Sequence, residues 1–566
     1  MGRIIVPGQG AGTLGDAWRT CVGTGRFNLA LRSDYQESLA LAQREIGFRY
    51  IRGHGVLHDD VSIHRPYDVG GHRGTAYVFT YVDQVVDAYL KVGIKPFLEL
   101  GFMPRGLASG DQTVFWWLGN VTPPRDHAEW ARLVRALLRH LIDRYGLDEV
   151  RTWPVEVWNE PNLTHFWQDA DQEAYFRLYE ASVRAVKDVD AELQVGGPAI
   201  SPGADDWWEP FAEFVTARDL PADFLSVHAY SSGPAQHVPF GVYQTLRRPQ
   251  HLLDQFARPH KILAGTALAD RPLHITEFNT SYRPDNPVHD TAYNAAYLAP
   301  VLAEGGEHAD SFAYWTFSDV FEEQGVPASF FHGGFGMLAH RQVRKPTFHL
   351  YAFMARMGQE VLARGVGHLV TRHPATGQVT VLAWQPVGGT DDPTEPPRHE
   401  LRLSLPVGFA EVERLSGVDG NAVGDRPDRR STSANARVFV MRYDVDEDAG
   451  NAWAAWREMG RPASPSGRQL DALHEASEPA RRAYSLPVST SSTSGTSSSS
   501  GMSSTSGMGS AREGRVELDL TIGRHGVTLV TLDAVRDETP PWLDDSRILG
   551  RADPRRQADT RQKDDP

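Results

Sequence analysis

Cysteine is nearly absent from the 566 residues: Cys21 stands alone, so no disulfide can close within the chain. The N-terminal MGRIIVPGQGAGTLGD has neither the basic start nor the apolar core of a secretory signal, and the expected compartment is the cytoplasm. No run approaches the ~18 apolar residues needed to span a bilayer, which argues against a membrane protein. Positive charge is also short. Lys and Arg number 57 against 72 Asp and Glu, a net charge of −15, so a surface that binds nucleic acid by counterion release is a poor fit. Only six of those 57 are Lys, a skew that reads as genome composition and carries no function. What remains is a soluble, globular composition with enough apolar residues for a large core. At about 150 residues per domain the length allows roughly four domains, or fewer if one is a barrel.

From about residue 20 to 355, short apolar runs alternate with amphipathic helices, the pattern of βα units around a parallel sheet. Within 128–145, Trp130, Leu133, Val134, Leu137, Leu138, Leu141, Ile142 and Tyr145 recur at helical spacing, and Gly146 follows as a stop. Gly47 and Gly93 close two earlier helices in the same way. Strands are expected at Cys21–Gly25, Phe48–Arg52, Lys95–Gly101, Trp153–Glu160, Leu193–Gly197, Phe224–Tyr230, Leu273–Glu277 and Ser311–Phe317. Eight such strands in this length predict a (β/α)8 TIM barrel over 17–355, with its active site at the C-terminal strand ends. After about residue 360 the period becomes two, in Gln378–Gln385, Glu400–Leu405 and Arg437–Tyr443, and again in Arg515–Leu520 and Gly526–Leu532. An accessory antiparallel β-sandwich is therefore expected from 1–16 and 356–535. Residues 489–510 contain only Ser, Thr, Gly and Met, the composition of a flexible insertion. The charged tail 536–566 is expected to be disordered or to make an oligomer contact.

Two of these strands end in glutamate: Trp153-Pro-Val-Glu-Val-Trp-Asn159-Glu160-Pro161 and Leu273-His-Ile-Thr-Glu277-Phe-Asn279. Strands four and seven face each other across a barrel mouth, so the two carboxyls can share one pocket. Glycosidic bond cleavage needs such a pair, one acid for the leaving oxygen and one carboxylate for the anomeric carbon. A retaining enzyme sets them about 5–5.5 Å apart and an inverting one about 6.5–9.5 Å, a gap that sequence does not measure. A lone strand-end Glu is more often a cap or an Arg partner, but that reading would have to hold at both positions. The Asn beside Glu160 adds an amide donor suited to a sugar hydroxyl.

With these residues in view, the chain resembles the family 39 glycoside hydrolases of clan A, the bacterial β-xylosidases and α-L-iduronidases, across most of 17–355 and more loosely to about 535. The likeness is carried by Cys21-Val-Gly-Thr-Gly25, Arg52-Gly-His54-Gly55, Pro96–Pro104, Val157-Trp-Asn-Glu-Pro-Asn162, Ser226-Val-His-Ala-Tyr230, Thr276-Glu-Phe-Asn279 and Phe317-Ser-Asp-Val-Phe-Glu-Glu-Gln324. The resemblance implies Glu160 as acid/base, Glu277 as nucleophile and a double displacement with retention. It also implies Tyr230 as a donor to the nucleophile, His54, Asn159 and His228 as partners of sugar hydroxyls, and Trp315 as an apolar face for the sugar. Glu322 and Glu323 match the family's acidic pair at the far end of a pocket closed to longer chains, which implies exo-action. Phe115, Trp116 and Trp117 are candidate walls suited to a pentose. At Leu118 the chain departs from the family pattern, which carries Lys there. The substrate implied is a small xylo-oligosaccharide, with no cofactor and no metal, and the likeness admits a homo-oligomer.

Four rival readings stand beside this one. Gly10-Ala-Gly12-Thr-Leu-Gly15 fits GxGxxG, but Asp16–Gly25 has no helical period, so a loop is expected there instead of a dinucleotide site. His54, His58, Asp59, Asp60 and His64 match no closed metal-ligand spacing. An α-L-iduronide would need a cation near the pocket, for which Arg52 and Arg283 are the candidates, whereas Glu322 and Glu323 favour a neutral xylose. The alternative from a different class is a carbohydrate-binding barrel without catalysis.

Overall fold

The computed structural model describes residues 2–239, 241–390, 396–407, 437–490 and 514–535. Residues 491–510 of the Ser-rich insertion and the tail 536–566 lie outside the described residues. The two remaining insertion residues, Ser489 and Thr490, pair with Arg515 and Gly514.

Eight parallel strands close into a barrel: β1 Cys21–Arg26, β2 Tyr50–His54, β3 Lys95–Glu99, β4 Val155–Glu156, β5 Val195–Ile200, β6 Phe224–Tyr230, β7 Leu273–Asn279 and β8 Ser311–Tyr314. Tyr314 of β8 registers with Val22 of β1 and completes the ring. The major helices that follow them in turn are α1 Ser33–Glu45, α2 Thr80–Lys91, α3 His127–Tyr145, α4 Gln172–Val189, α5 Trp208–Ala217, α6 Gln250–Ile262, α7 Ala292–Glu304 and α8 Pro346–Met354. In α3 the expected stripe is buried from Trp130 to Leu141, and the Asp126 side chain caps the helix by accepting from the Ala128 N–H (2.7 Å). Gly47 and Gly93 take φ of 79° and 77°, left-handed positions that glycine occupies without a Cβ clash. No helix among the described residues is long and apolar enough to cross a membrane.

β4 is far shorter than the expected Trp153–Glu160. Trp158 and Glu160 adopt φ of 72° and 44°, which takes them out of the ladder and turns the chain over the barrel mouth. At the N-terminus, Gly12 and Thr13 form a strand against Val361 and Glu360, so the glycine-rich stretch runs extended and opens no long helix.

Beyond α8 lie β9 Glu360–Gly365, β10 His368–Arg372, β11 Val379–Trp384, β12 His399–Val407, β13 Arg437–Val445, β14 Ala480–Pro487, β15 Gly514–Ile522 and β16 Val527–Val535. One sheet runs Ile4–Ile5, β12, β15, Ser489–Thr490; the other runs Gly12–Thr13, β9, β10, β11, β16, β13, β14. Alternate residues of both, including Val381, Leu403, Val440, Leu518 and Val530, are buried in one apolar cluster, which makes this a sandwich. Two helices, α9 Ala452–Glu458 and α10 Gly467–Ala476, interrupt it, and Trp456 packs on Phe331 of the loop after β8.

Candidate active site

The barrel interior beneath the mouth holds charge where apolar packing is usual. Arg52 of β2 is fully buried, and its guanidinium reaches Glu156 of β4 (2.7 Å), Glu99 of β3 (3.1 Å) and Asn159 Oδ1 (2.9 Å). It also donates to Glu277 Oε1. Thr276 donates to the other Glu156 oxygen (2.8 Å). Burial alone would weaken the Arg52 charge, but Glu156, Glu99 and Glu277 overrule it and raise its proton affinity. An arginine suits this place because its planar fork serves several acceptors at once.

Around this hub the strand ends assemble. Glu277 Oε2 accepts from the Tyr230 hydroxyl (2.7 Å), so both carboxylate oxygens are held. Burial and the neighbouring Glu277 charge push the Tyr230 phenol well above its ordinary range, leaving it a donor. His54 Nδ1 meets Glu99 (2.6 Å), while its Nε2 lies 3.6 Å from Glu277 and 3.7 Å from Glu323. Burial would lower His54, yet Glu99 raises it on balance. Asn159, its oxygen engaged by Arg52, has its NH2 to offer a ligand. Glu160 is pushed up to about 7, chiefly by burial, with His165, His54 and Arg52 pulling the other way. A carboxyl oxygen of Glu160, a ring nitrogen of His228 and a carboxylate oxygen of Glu277 all lie within 4.8 Å of one another. The two glutamates thus share one pocket. These three groups are compact enough to clasp a cation, but the Arg52 guanidinium already occupies one side of Glu277 and opposes a second positive charge.

A cavity of about 670 Å³ opens over them, lined by His54, Phe115, Asn159, Glu160, Tyr230, Glu277, Trp315 and Glu323, with His165, Phe166, Tyr282 and Arg283 on its other sides. Burial, together with the Glu277 and Glu160 charges, pushes Glu323 up to about 8. Trp315 packs on His54 with ring centroids 4.8 Å apart and lies 5.7 Å from the Arg52 guanidinium carbon.

Three expected placements differ. Glu322 does not line the cavity: its carboxylate is turned away onto Arg32 (2.8 Å) and Arg26 (3.1 Å). His228 does not reach the cavity lining either. Its Nδ1 bridges Glu160 (2.9 Å) and Glu277 (3.4 Å), and burial holds it down at about 4, hence neutral near pH 7. Arg52 is spent on carboxylates beneath the floor and Arg283 pairs with Asp285 (3.1 Å), so neither stands free to receive a uronate. Trp116 is half exposed, whereas Trp117 is buried behind Phe115. Glu99 and Glu156 were missed, although a charged residue inside an apolar barrel run, as in Phe-Leu-Glu-Leu and Pro-Val-Glu-Val, is itself a signal.

The model of the family described as glycosyl hydrolases family 39 matches residues 4–423. A beta-xylosidase of Geobacillus stearothermophilus is 43% identical over 553 residues, covering 97% of this chain and 99% of its own. Another, from Caldicellulosiruptor saccharolyticus, is 34% identical over 83% of this chain and 90% of its own. Among solved structures, a monomeric beta-xylosidase from Caulobacter crescentus CB15 superposes with a TM-score of 0.76 at 29% identity, covering 94% of this chain and all of that one.

Proposed function

This chain belongs to glycosyl hydrolase family 39 and is a glycosidase, and from that premise we propose that it releases β-D-xylose from the non-reducing end of short xylo-oligosaccharides with retention of configuration. Glu277 attacks the anomeric carbon as the glycosidic bond breaks, and Glu160 gives its proton to the departing oxygen. Glu160, now anionic, takes a proton from water, whose oxygen attacks the glycosyl ester and frees Glu277. The single observation that carries this reading is the compact Glu160–His228–Glu277 cluster, in which one oxygen of each carboxyl and a ring nitrogen lie within 4.8 Å of one another, a closeness that favours the near pair of a retaining enzyme. The differing environments support the division of labour: Glu160 at about 7 keeps its proton near neutrality, while Arg52 and Tyr230 hold Glu277 as an acceptor. Formation of the ester removes the Glu277 charge and favours release of the Glu160 proton.

His54 and Asn159 offer groups to glycone hydroxyls, and Trp315 offers its ring to the sugar's C–H face. Glu323, wall residue of the cavity, supports exo-action, and the engagement of Arg52 and Arg283 by carboxylates supports a neutral pentose over a uronate. The test is hydrolysis of an aryl β-D-xyloside against a Glu277→Ala control, with NMR of the first-formed sugar. The expected product is β-xylose; α-xylose appearing first would overturn retention. Initial rates on aryl xyloside, glucoside, arabinoside and α-L-iduronide test the glycone, and a preference for iduronide would overturn the xylosidase reading. The expectations of a cytoplasmic setting and a homo-oligomer stay with this proposal; a monomer by light scattering would remove the latter.

A further inference from the structure

Two loops distant in sequence supply wall residues of the cavity, Phe115 from the loop after β3 and Glu323 from the loop after β8. The Trp116 N–H donates to the Glu323 carbonyl (3.1 Å) and ties them together. Behind this tie stands Arg26, the last residue of β1, its side chain 16% exposed. Its two terminal nitrogens reach Asp60 (3.2 Å) and Glu322 (3.1 Å), and its guanidinium carbon lies 5.4 and 5.8 Å from the Trp116 and Trp117 ring centroids. Glu322 immediately precedes the wall residue Glu323, and Trp117 stacks on the wall residue Phe115 at 5.3 Å. Arg26 therefore holds both sides of the wall while lining none of the cavity.

We propose that Arg26, through its pair with Glu322, is the positioning residue that sets glycone specificity. It fixes how closely Glu323 and Phe115 approach, so that the pocket accepts a pentopyranose and refuses a pyranose carrying a C6 hydroxymethyl group. Arginine is required because its planar fork spans Asp60 and Glu322 while lying over the indoles; a lysine ammonium, a single point of charge, does not hold both carboxylates together from that place. The proposal rests on the xylosidase reading, which the unmodified enzyme tests by itself: no turnover of aryl xyloside sinks that reading before any variant is made.

Arg26→Lys and Glu322→Gln, each in the full chain, are compared with the unmodified enzyme on aryl β-D-xyloside and aryl β-D-glucoside. The expected result for each is a xyloside KM raised about tenfold, kcat within about threefold, and a xyloside-to-glucoside ratio of kcat/KM lowered about tenfold, the low end of what a methylene-sized group is worth. Because both substitutions weaken the Arg26–Glu322 contact, the double variant should lose clearly less than the product of the two single losses, and full additivity would overturn the proposal. Unchanged KM and ratio in variants with an unshifted thermal midpoint would overturn the proposal. So would a fall in kcat shared equally by both substrates, which marks lost folded protein instead of a moved wall.

Discussion

Glu160 is the residue whose environment makes the sharpest demands. With its carboxyl at about 7, kcat/KM on an unactivated substrate such as xylobiose should fall with an alkaline limb near pH 7. A limb near pH 4.5 would contradict the buried-acid reading. Stability carries the same signature. From the ordinary 4.5 to about 7 the folded state holds a proton that the unfolded chain has released, so the associated stability is complete below about pH 4.5 and is lost as pH rises through 7. Glu160→Gln stays neutral, and relative to the unmodified protein it should gain up to about 3 kcal/mol at pH 8 and nothing at pH 4.5. Denaturant titration at the two pH values measures the difference; an equal offset at both would exclude titration as its cause. Catalysis separates the glutamates further. On an aryl substrate whose leaving group needs no proton, Glu160→Ala should retain the glycosylation burst, whereas Glu277→Gly should lose it by at least about 10³-fold. That Glu160 and Glu277 share one cavity was legible because strand ends in a barrel point at the mouth. Glu322 was misread for the complementary reason: adjacent residues on a loop face opposite ways, and the doublet Glu322-Glu323 does not say which of them Arg26 and Arg32 will claim.

At the scale of the element, β1 shows how a strand that lines none of the cavity still governs the site. A Cβ on Gly23 would press into the Trp315 indole and stand 3.0 Å from the Tyr314 carbonyl. Gly23→Ala should displace that indole and lower kcat/KM by about 10–100-fold with less effect on thermal stability, since a shift of about 1 Å at a site costs that much. Kinetics and a thermal scan on the same preparation test it; unchanged kcat/KM would mean Trp315 can retreat freely. The barrel strands were readable from apolar runs bounded by glycine stops, and β6 spans Phe224–Tyr230 as expected. The hairpin His64–Val69 with His72–Tyr77 was not readable, because most of its residues are exposed and it presents no apolar face. Helices α9 and α10 were hidden by a neighbourhood read at period two. They are held by a satellite cluster around Trp456 and not by the sandwich core.

At the scale of the whole molecule, residues 3–13 tie the two sheets of the sandwich to each other. Ile4 and Ile5 pair with Leu403 and Ser404 in one sheet, Gly12 and Thr13 pair with Val361 and Glu360 in the other, and Val6 is fully buried between them. Arg3 adds ion pairs to Glu517 (2.7 Å) and Asp519 (2.9 Å). Removing residues 1–13 exposes an edge of each sheet and deletes a core valine worth about 1.5–3 kcal/mol. The thermal midpoint of the sandwich should drop by about 5 °C, while kcat/KM on aryl xyloside stays within about twofold because every cavity-lining residue lies between His54 and Phe335. A loss of activity with an unchanged midpoint would show that the segment reaches the barrel's chemistry.

The pairing of Arg3 with residues four hundred positions later also sets an order of events at the ribosome. At about 5–20 residues per second, the opening strands wait roughly 20–80 s for their partners to be made. All eight barrel strands emerge within that interval. This segment, made before the barrel, is therefore placed after it, and it binds the two sheets of the sandwich together beside a barrel whose strands are already made.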